Sequence, residues 1–533
     1  MKLKTDAVIA GGGLAGLGLA YQLKSASPEL DVVVLDKRKF PVPRAITKVG
    51  ESTVEIGSHY LSKHLKLADH LKHEHLKKFG IRIFFGEGAD DFSQQDELGA
   101  SQTFGIPTYQ IDRGDIENHL ACELKGMGVQ LIDNADIQHL LINQDALKDS
   151  HKEDKKHHLQ AQTDTDRYDI DARWLLDASG RRAFIKQQLN LHKNNQHQAN
   201  AIWFRIDKTI EIDQWSEQES WHRRCMPQGK RWLSTNHLVG PGYWVWIIPL
   251  ASGITSIGIV MDNQAFDESQ IECEQSAMSW LHKNQSRCAE AIGEANFLDF
   301  VVLKDYSYSC KQLFSDNGWG ITGEAGLFAD PLYSPGSDFI AINNGFIDDL
   351  VRSDAKGEDI RFKRALYERL HFSIYNNTLS LYTGQYGGFG DRQMMGLKLL
   401  WDYSYYWGVL SLLFFQNVLT DIARMRKLSV VLQKAQTLNQ QVQSHFRQRA
   451  EKRLILPNRG VFMDQYKIPC LKHFNEILMM PETSDIDKHL QDNVAMIEQI
   501  SVSVMNMLSE NPSRHIDDEE HNLLGDYRQS ILA

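Results

Sequence analysis

The sequence predicts an α/β fold in three parts: a nucleotide-binding unit at the N-terminus, an antiparallel sheet interleaved with it, and a helical C-terminal extension. Three observations carry this. An apolar run enters a glycine-rich turn within the first dozen residues. Strand-like runs cluster mainly at 79–110 and 200–310. From Asp348 onward helical periodicity takes over almost to the end. The expected division is 1–365 for the nucleotide-binding part with its interleaved sheet, and 366–533 for the helical region.

Thr5-Asp-Ala-Val-Ile-Ala10 has the apolar content of a buried strand, and Leu14 to Leu23 continues as an Ala/Leu-rich helix. Between them lies Gly11-Gly-Gly13-Leu-Ala-Gly16. In a dinucleotide fingerprint the first glycine permits the tight turn and the second lets backbone N–H groups approach a pyrophosphate. The third packs helix against strand, so that phosphate meets a helix N-terminus. Asp31-Val-Val-Val-Leu35 is a second buried strand closed by Asp36, 25 residues after Gly11 and placed to accept ribose hydroxyls. The unit is Rossmann-like.

Composition narrows the function. With 533 residues the chain exceeds what one core usually serves. A formal charge of −11 argues against a nucleic-acid partner, which would favour a basic surface. Cys122, Cys225, Cys273, Cys288, Cys310 and Cys470 are scattered without metal-ligand spacing, so buried thiols, a reducing compartment and no metal are expected. The first apolar run is the nucleotide strand rather than a leader, and the cytoplasm is the expected location.

Further along, Lys37 to Arg44 is a basic loop broken by prolines, and Gly50-Glu51-Ser52 reads as a turn before a helix. Leu61 to Lys78 has helical spacing, and Phe79-Gly-Ile-Arg-Ile-Phe-Phe85 reads as a strand. Asp115 stands in the first turn of a helix, and Gly128 to Ile132 forms another strand. The stretch 145–158 is charged and histidine-rich, best read as a solvated hairpin loop rather than a metal site. Trp174-Leu-Leu-Asp177 and Trp319-Gly-Ile-Thr-Gly323 are buried strands entering small-residue turns. Tyr243 to Leu250 and Thr255 to Met261 belong to the interleaved sheet, and a break in the helical region is expected at Pro457 to Pro481.

Four segments in order resemble the FAD-dependent monooxygenases related to para-hydroxybenzoate hydroxylase, and more narrowly the flavin-dependent halogenases. They are the Gly11, Gly13, Gly16 fingerprint with Asp36; Asp177-Ala-Ser-Gly180-Arg; Gly323-Glu324-Ala-Gly-Leu-Phe-Ala-Asp330-Pro331; and Tyr243-Trp244-Val-Trp246-Ile-Ile248-Pro249, which matches the WxWxIP pattern. The resemblance spans roughly residues 1–365 and implies a Rossmann-like FAD-binding domain, with FAD held by these glycines, Asp36, Asp177, Glu324 and Asp330. Glu324 stands where the family carries an aspartate that takes the ribityl hydroxyls. Arg113 matches an arginine placed near the flavin or its phosphates, although a surface ion pair explains it equally well.

Trp244, Trp246 and Pro249 would, by the same resemblance, shape the passage between flavin and substrate. Their spacing alone also suits an ordinary core strand. Lys78 resembles the lysine that handles hypohalous acid in halogenases, and Lys48 is the alternative. A cation at a helix C-terminus would account for Lys77 and Lys78 without catalysis. After Asp330-Pro331 the family loop offers N–H groups to halide. Here Pro335 has none to give, which leaves Gly336 and Ser337 and keeps direct hydroxylation open. The glutamate of tryptophan halogenases is absent from this loop, with Tyr333 nearby, which favours phenols, pyrroles or carrier-bound rings.

The expected activity is therefore halogenation of an electron-rich aromatic by reduced FAD, oxygen and halide. No second dinucleotide fingerprint is present, so a separate flavin reductase is the expected partner. A further reading, a membrane-associated flavoprotein reductase or desaturase, follows from the aromatic and leucine-rich residues 396–425, which could also roof a substrate cavity.

Overall fold

The computed structural model describes residues 1–46, 48–86, 91–143, 156–263, 271–482, 485–509 and 518–532. The N-terminal unit is β1 (Lys2–Ala10), α1 (Leu14–Ala26) and β2 (Val32–Leu35). Helix α2 (Arg113–Gly126) packs beside α1. The strand read at Trp174 is the end of a longer one, β3 (Arg167–Asp177).

The first sheet has the order Gln130–Ile132, β2, β1, β3, His157–Gln162, Asp136–Leu141, and Trp319–Ile321 also pairs with β3. Parallel register brings Ala10 level with Asp177, and Asp177 level with Ile321. The turns after these three strands therefore leave the sheet side by side, at the carboxyl edge where open α/β sheets bind ligands. Motifs separated by more than a hundred residues meet for this reason.

The second sheet has eight strands in the order Phe297–Leu303, Ala199–Ile206, Thr255–Asp262, β4 (Tyr243–Pro249), Thr235–Gly240, Ile81–Phe85, Glu97–Gly99 and β5 (Phe462–Asp464). Antiparallel pairing was expected throughout, but Thr235–Gly240 runs parallel to Ile81–Phe85, and β5 runs parallel to Glu97–Gly99. Strand β4 separates two cores. Trp244, Trp246 and Ile248 face the cluster shared with the first sheet, whereas Tyr243, Val245 and Ile247 face Trp215, Trp221 and Trp280.

The division at 365/366 falls inside a helix. Helix α3 (Gly336–Ala355) starts before Asp348, and α4 (Arg361–Leu379) runs through the boundary, because no glycine or proline interrupts residues 361–379. The C-terminal region is not wholly helical, since β5 closes an edge of the second sheet, and Pro469 starts the helix Pro469–Leu478 within the expected break. Within residues 396–425, Trp401 is 0% and Trp407 1% exposed, so this segment packs inward. No helix among the described residues is long and apolar enough to cross a membrane. Of the histidine-rich stretch, 145–155 lies outside the described residues, while His157 and His158 lie in the strand His157–Gln162.

Candidate flavin and substrate site

The glycine turn is fixed by close approach. Gly11 has φ +116°, and a Cβ there would lie 2.3 Å from the Ala178 carbonyl oxygen; at Gly16 it would lie 1.9 Å from that of Gly11. Gly13 caps α1 with an ordinary extended backbone. A Cβ on Gly13 would lie 2.8 Å from Lys48 Nζ, so bare backbone and ammonium share one space.

Around the N-terminus of α1, charge converges on Glu117. The Leu14 N–H donates to its Oε1 at 3.2 Å, and Arg38, Lys48 and Arg113 approach at 2.8, 3.4 and 3.2 Å. Burial raises the pKa of this carboxyl, but Lys48, Arg113 and Arg38 outweigh burial and hold it below the ordinary value. Three cations and a helix N-terminus gathered on one carboxylate leave positive charge to spare, which suits a pyrophosphate. The surrounding cleft, of about 510 Å³, is lined by Gly11, Gly13, Asp36, Lys48, Arg113 and Gly180, and by Gly323, Glu324, Asp330 and Gly336 from the third turn and the start of α3. These donors and glycines fit FAD. Lys48→Ala is expected to weaken FAD binding by about tenfold or more, the worth of one charge-assisted contact, in a fluorescence titration.

Several expected ligands have structural partners as well. Asp36 accepts from Gly12 N–H at 2.7 Å and from Arg38, whose part the sequence did not suggest beyond a basic loop. Glu324 pairs with Arg181 at 3.3 Å at the edge of the cleft. Asp177 does not line the cleft. It holds the turn, taking the Ser179 N–H and hydroxyl on Oδ1 and the Ile185 N–H on Oδ2. Asp330 lines the cleft but is tightly engaged, by His197 and Tyr306 at 2.7 Å each, by Tyr386, and by the Leu332 N–H at 2.9 Å.

Trp244 and Trp246 both face the cleft, their indoles donating to Tyr386 at 2.9 Å and to Ser256 at 3.3 Å. Pro249 lies outside both cavities, because an odd spacing from Trp246 turns it to the other face of β4. His237, which nothing in the sequence singled out, also lines the cleft. Its ring centre lies 5.2 Å from that of Trp244, and burial beside Lys78 pushes its pKa down to about 3.

Lys78 occupies the partition behind this wall. Lys77 is exposed, but Lys78 is only 3% exposed, and its Nζ donates to Ser52 Oγ at 2.9 Å and to the Thr53 carbonyl at 3.1 Å. Ser52 lines the flavin cleft. Glu55 and Asp338, which act electrostatically on Lys78, line a second cavity of about 1300 Å³. Burial brings Lys78 down to about 8, against the pull of those two acids. Pro335 and Phe339 line both cavities, so the two meet at the start of α3. Pro335 caps that helix, leaving the N–H groups of Gly336 and Ser337 in its first turn, where a helix has no acceptor of its own.

A further cluster, His70, His75 and Asp115, brings three possible metal ligands together. The Asp112 N–H donates to His75 Nδ1 at 3.3 Å, and burial keeps His75 neutral, with a pKa of about 4. Asp115 Oδ2 lies 2.8 Å from His70 Nε2 and 3.3 Å from His75 Nε2. This clamp ties α2 to the segment leading into Lys78.

Residues 9–73 match the family described as an NAD(P)-binding Rossmann-like domain. The chain is 26% identical to the flavin-dependent halogenase chlA of Dictyostelium discoideum, over 76% of this chain and 70% of that protein. It is 24% identical to a 1H-pyrrole-2-carbonyl-[peptidyl-carrier protein] chlorinase of Pseudomonas fluorescens, over 64% of this chain and 74% of that one. Its fold matches halogenase PltM, solved with phloroglucinol and FAD, at a TM-score of 0.68 and 16% identity, covering 91% and 98% of the two chains. With a cleft whose donors and glycines fit FAD, and with these relatives, the chain is similar to the flavin-dependent halogenases over about three quarters of its length.

Proposed function

We propose that this chain uses reduced FAD, oxygen and halide to halogenate an electron-rich aromatic, a phenol, a pyrrole or a carrier-bound ring, with Lys78 handling hypohalous acid. The observation that carries this is the buried Lys78 ammonium between the two cavities. When bound, the reduced flavin supplies the electrons that activate oxygen for oxidation of the halide. Lys48, Arg38 and Arg113 hold the phosphates, and the Gly336 and Ser337 N–H groups offer a positive helix end to halide. Two N–H bonds of Lys78 are engaged by Ser52 and Thr53. The third is left to bind and polarise an oxidant.

The pyrrole-carrier chlorinase and a matching brominase of Pseudoalteromonas luteoviolacea support a carrier-bound ring as one form of substrate. A separate flavin reductase is the proposed partner, since only one dinucleotide fingerprint is present. Pro335, which has no N–H to donate, favours a second reading, direct hydroxylation of the ring.

Turnover with chemically reduced FAD, oxygen and bromide, followed by mass spectrometry, separates the two. Brominated product is expected. Oxygen insertion alone, equal with and without bromide, would replace the halogenase reading with the hydroxylase one.

A further inference from the structure

The loop that leads from Asp330 into α3 takes a strained course. Ser334 has φ +57°, a left-handed conformation that a residue with a Cβ adopts at a cost. Its N–H donates to the Pro331 carbonyl at 2.9 Å, and Pro335 follows at once as the cap of α3. Such a conformation persists only where its surroundings over-determine it. Three anchors come from the helical region beyond residue 365. Tyr386 donates to Asp330 at the start of the loop, and the Tyr333 hydroxyl donates to Asp402 Oδ2 at 2.9 Å in its middle. At its end the Tyr406 hydroxyl donates to Asp338 at 2.7 Å.

Asp402 is itself held from two sides. It lies near the end of the helix Arg392–Tyr405 and is buried. Lys398, one turn earlier and fully buried, places its Nζ 2.9 Å from the same Oδ2. Gln443, from the helix Ser429–Ala450, donates to Oδ1 at 2.8 Å and accepts from Gln385 at 2.8 Å. A buried ion pair adds little to stability by itself, because desolvating both charges offsets their attraction. What this one does is fix the direction of a carboxylate oxygen that faces Tyr333. Burial beside Asp402 raises the Tyr333 pKa well above its ordinary value, so the hydroxyl keeps the proton that it donates. The Tyr333 ring also meets those of Tyr382 and Tyr403, at 6.1 and 6.4 Å between centres, and these contacts do not depend on the hydroxyl.

Resting on the halogenase reading above, we propose that Asp402 is a positioning residue: through the Tyr333 hydroxyl it holds the loop 331–337 in the strained shape that aims the Gly336 and Ser337 N–H groups at halide. Lys398 and Gln443 hold Asp402 in turn. The helical region beyond residue 365 thereby sets halide affinity without touching the ion.

The test is Tyr333→Phe in the full, FAD-loaded chain, which removes one hydroxyl and keeps the ring. The KM for bromide is expected to rise by about tenfold, the worth of one charge-assisted hydrogen bond, while kcat at saturating bromide stays within about twofold. Hydrogen exchange of peptides covering 332–340, read by mass spectrometry on the resting protein, should quicken by about tenfold or more. Unchanged FAD uptake shows that the variant is folded. Adding Ser334→Gly should recover part of the bromide KM, because glycine takes a positive φ without the Cβ penalty, whereas damage to packing alone would not be repaired. Asp402→Asn combined with Lys398→Met, which avoids stranding a buried ammonium, should reproduce a rise of about threefold or more. A bromide KM that stays the same in Tyr333→Phe overturns the proposal, whatever kcat does, and one that stays the same in the double variant overturns the role of Asp402. Because exchange needs no turnover, faster loop exchange in a protein that yields only hydroxylated product would sink the halogenase reading and leave the hold on the loop standing.

Discussion

Replacing Lys78 with methionine is expected to lower halogenated product by about a hundredfold to ten-thousandfold, the range for a positioned proton-handling group, while FAD uptake stays the same. Methionine occupies much the same buried space but offers nothing to an oxidant. Arg38, Lys48 and Arg113, proposed above to hold the phosphates, lie in a separate cluster around Glu117. Product mass spectrometry and an FAD fluorescence titration read the two effects separately, and halogenation at the unaltered rate would refute the assignment. The pH dependence follows from burial. With its pKa near 8, Lys78 is an ammonium below that value and loses its proton as pH rises through it. Lys78-dependent activity should therefore fall above about pH 8, and the methionine variant should lack that limb. Stability moves the other way: a lysine pKa below its unfolded value means the buried charge costs stability, fully below about pH 8 and progressively less as pH rises toward 10.5.

Asp330→Ala is expected to cost about 3–5 kcal/mol of folding stability, measured by denaturant unfolding of the FAD-loaded protein. The carboxylate is 1% exposed and gathers the His197 imidazole, the Tyr306 and Tyr386 hydroxyls and the Leu332 N–H. Alanine strands all of these donors in a dry interior. It also frees Tyr386, which accepts the Trp244 indole, so the cleft wall loses its anchor. Asparagine keeps an acceptor and should recover part of the loss. A change below about 1 kcal/mol for alanine would show that the network rearranges around the gap.

The glycine fingerprint was legible because its glycines answer a local steric demand: a Cβ at Gly11 or Gly16 would lie 2.3 or 1.9 Å from a backbone carbonyl oxygen. Trp244 and Trp246 were legible for a similar reason: an even spacing on a strand puts both indoles on one face. Pro249, at an odd spacing, was assigned to the passage from the motif as a whole, and strand geometry turns it away. The use of Asp177 within its own turn, and the gathering of Asp330 with His197, Tyr306 and Tyr386, depend on partners supplied by tertiary packing, which no local pattern records. Glu117 and Arg38 were missed on the same ground, since their meeting at α1 depends on how α2 docks. The boundary at 365/366 was placed where the resemblance stopped, and the helix Arg361–Leu379 runs through that position.

The strand Phe462–Asp464 imposes an order on biosynthesis. A chain emerging from the ribosome N-terminus first completes Glu97–Gly99 long before its parallel neighbour exists. Until then the growing sheet presents an unpaired edge to every other nascent chain, a known route to aggregation. Arg82, Arg224 and Arg231 ring Glu97 on that strand, and charge at a waiting edge is one way to discourage strangers. Fragments ending near residue 365 should therefore come out largely in inclusion bodies, however sound their nucleotide-binding half.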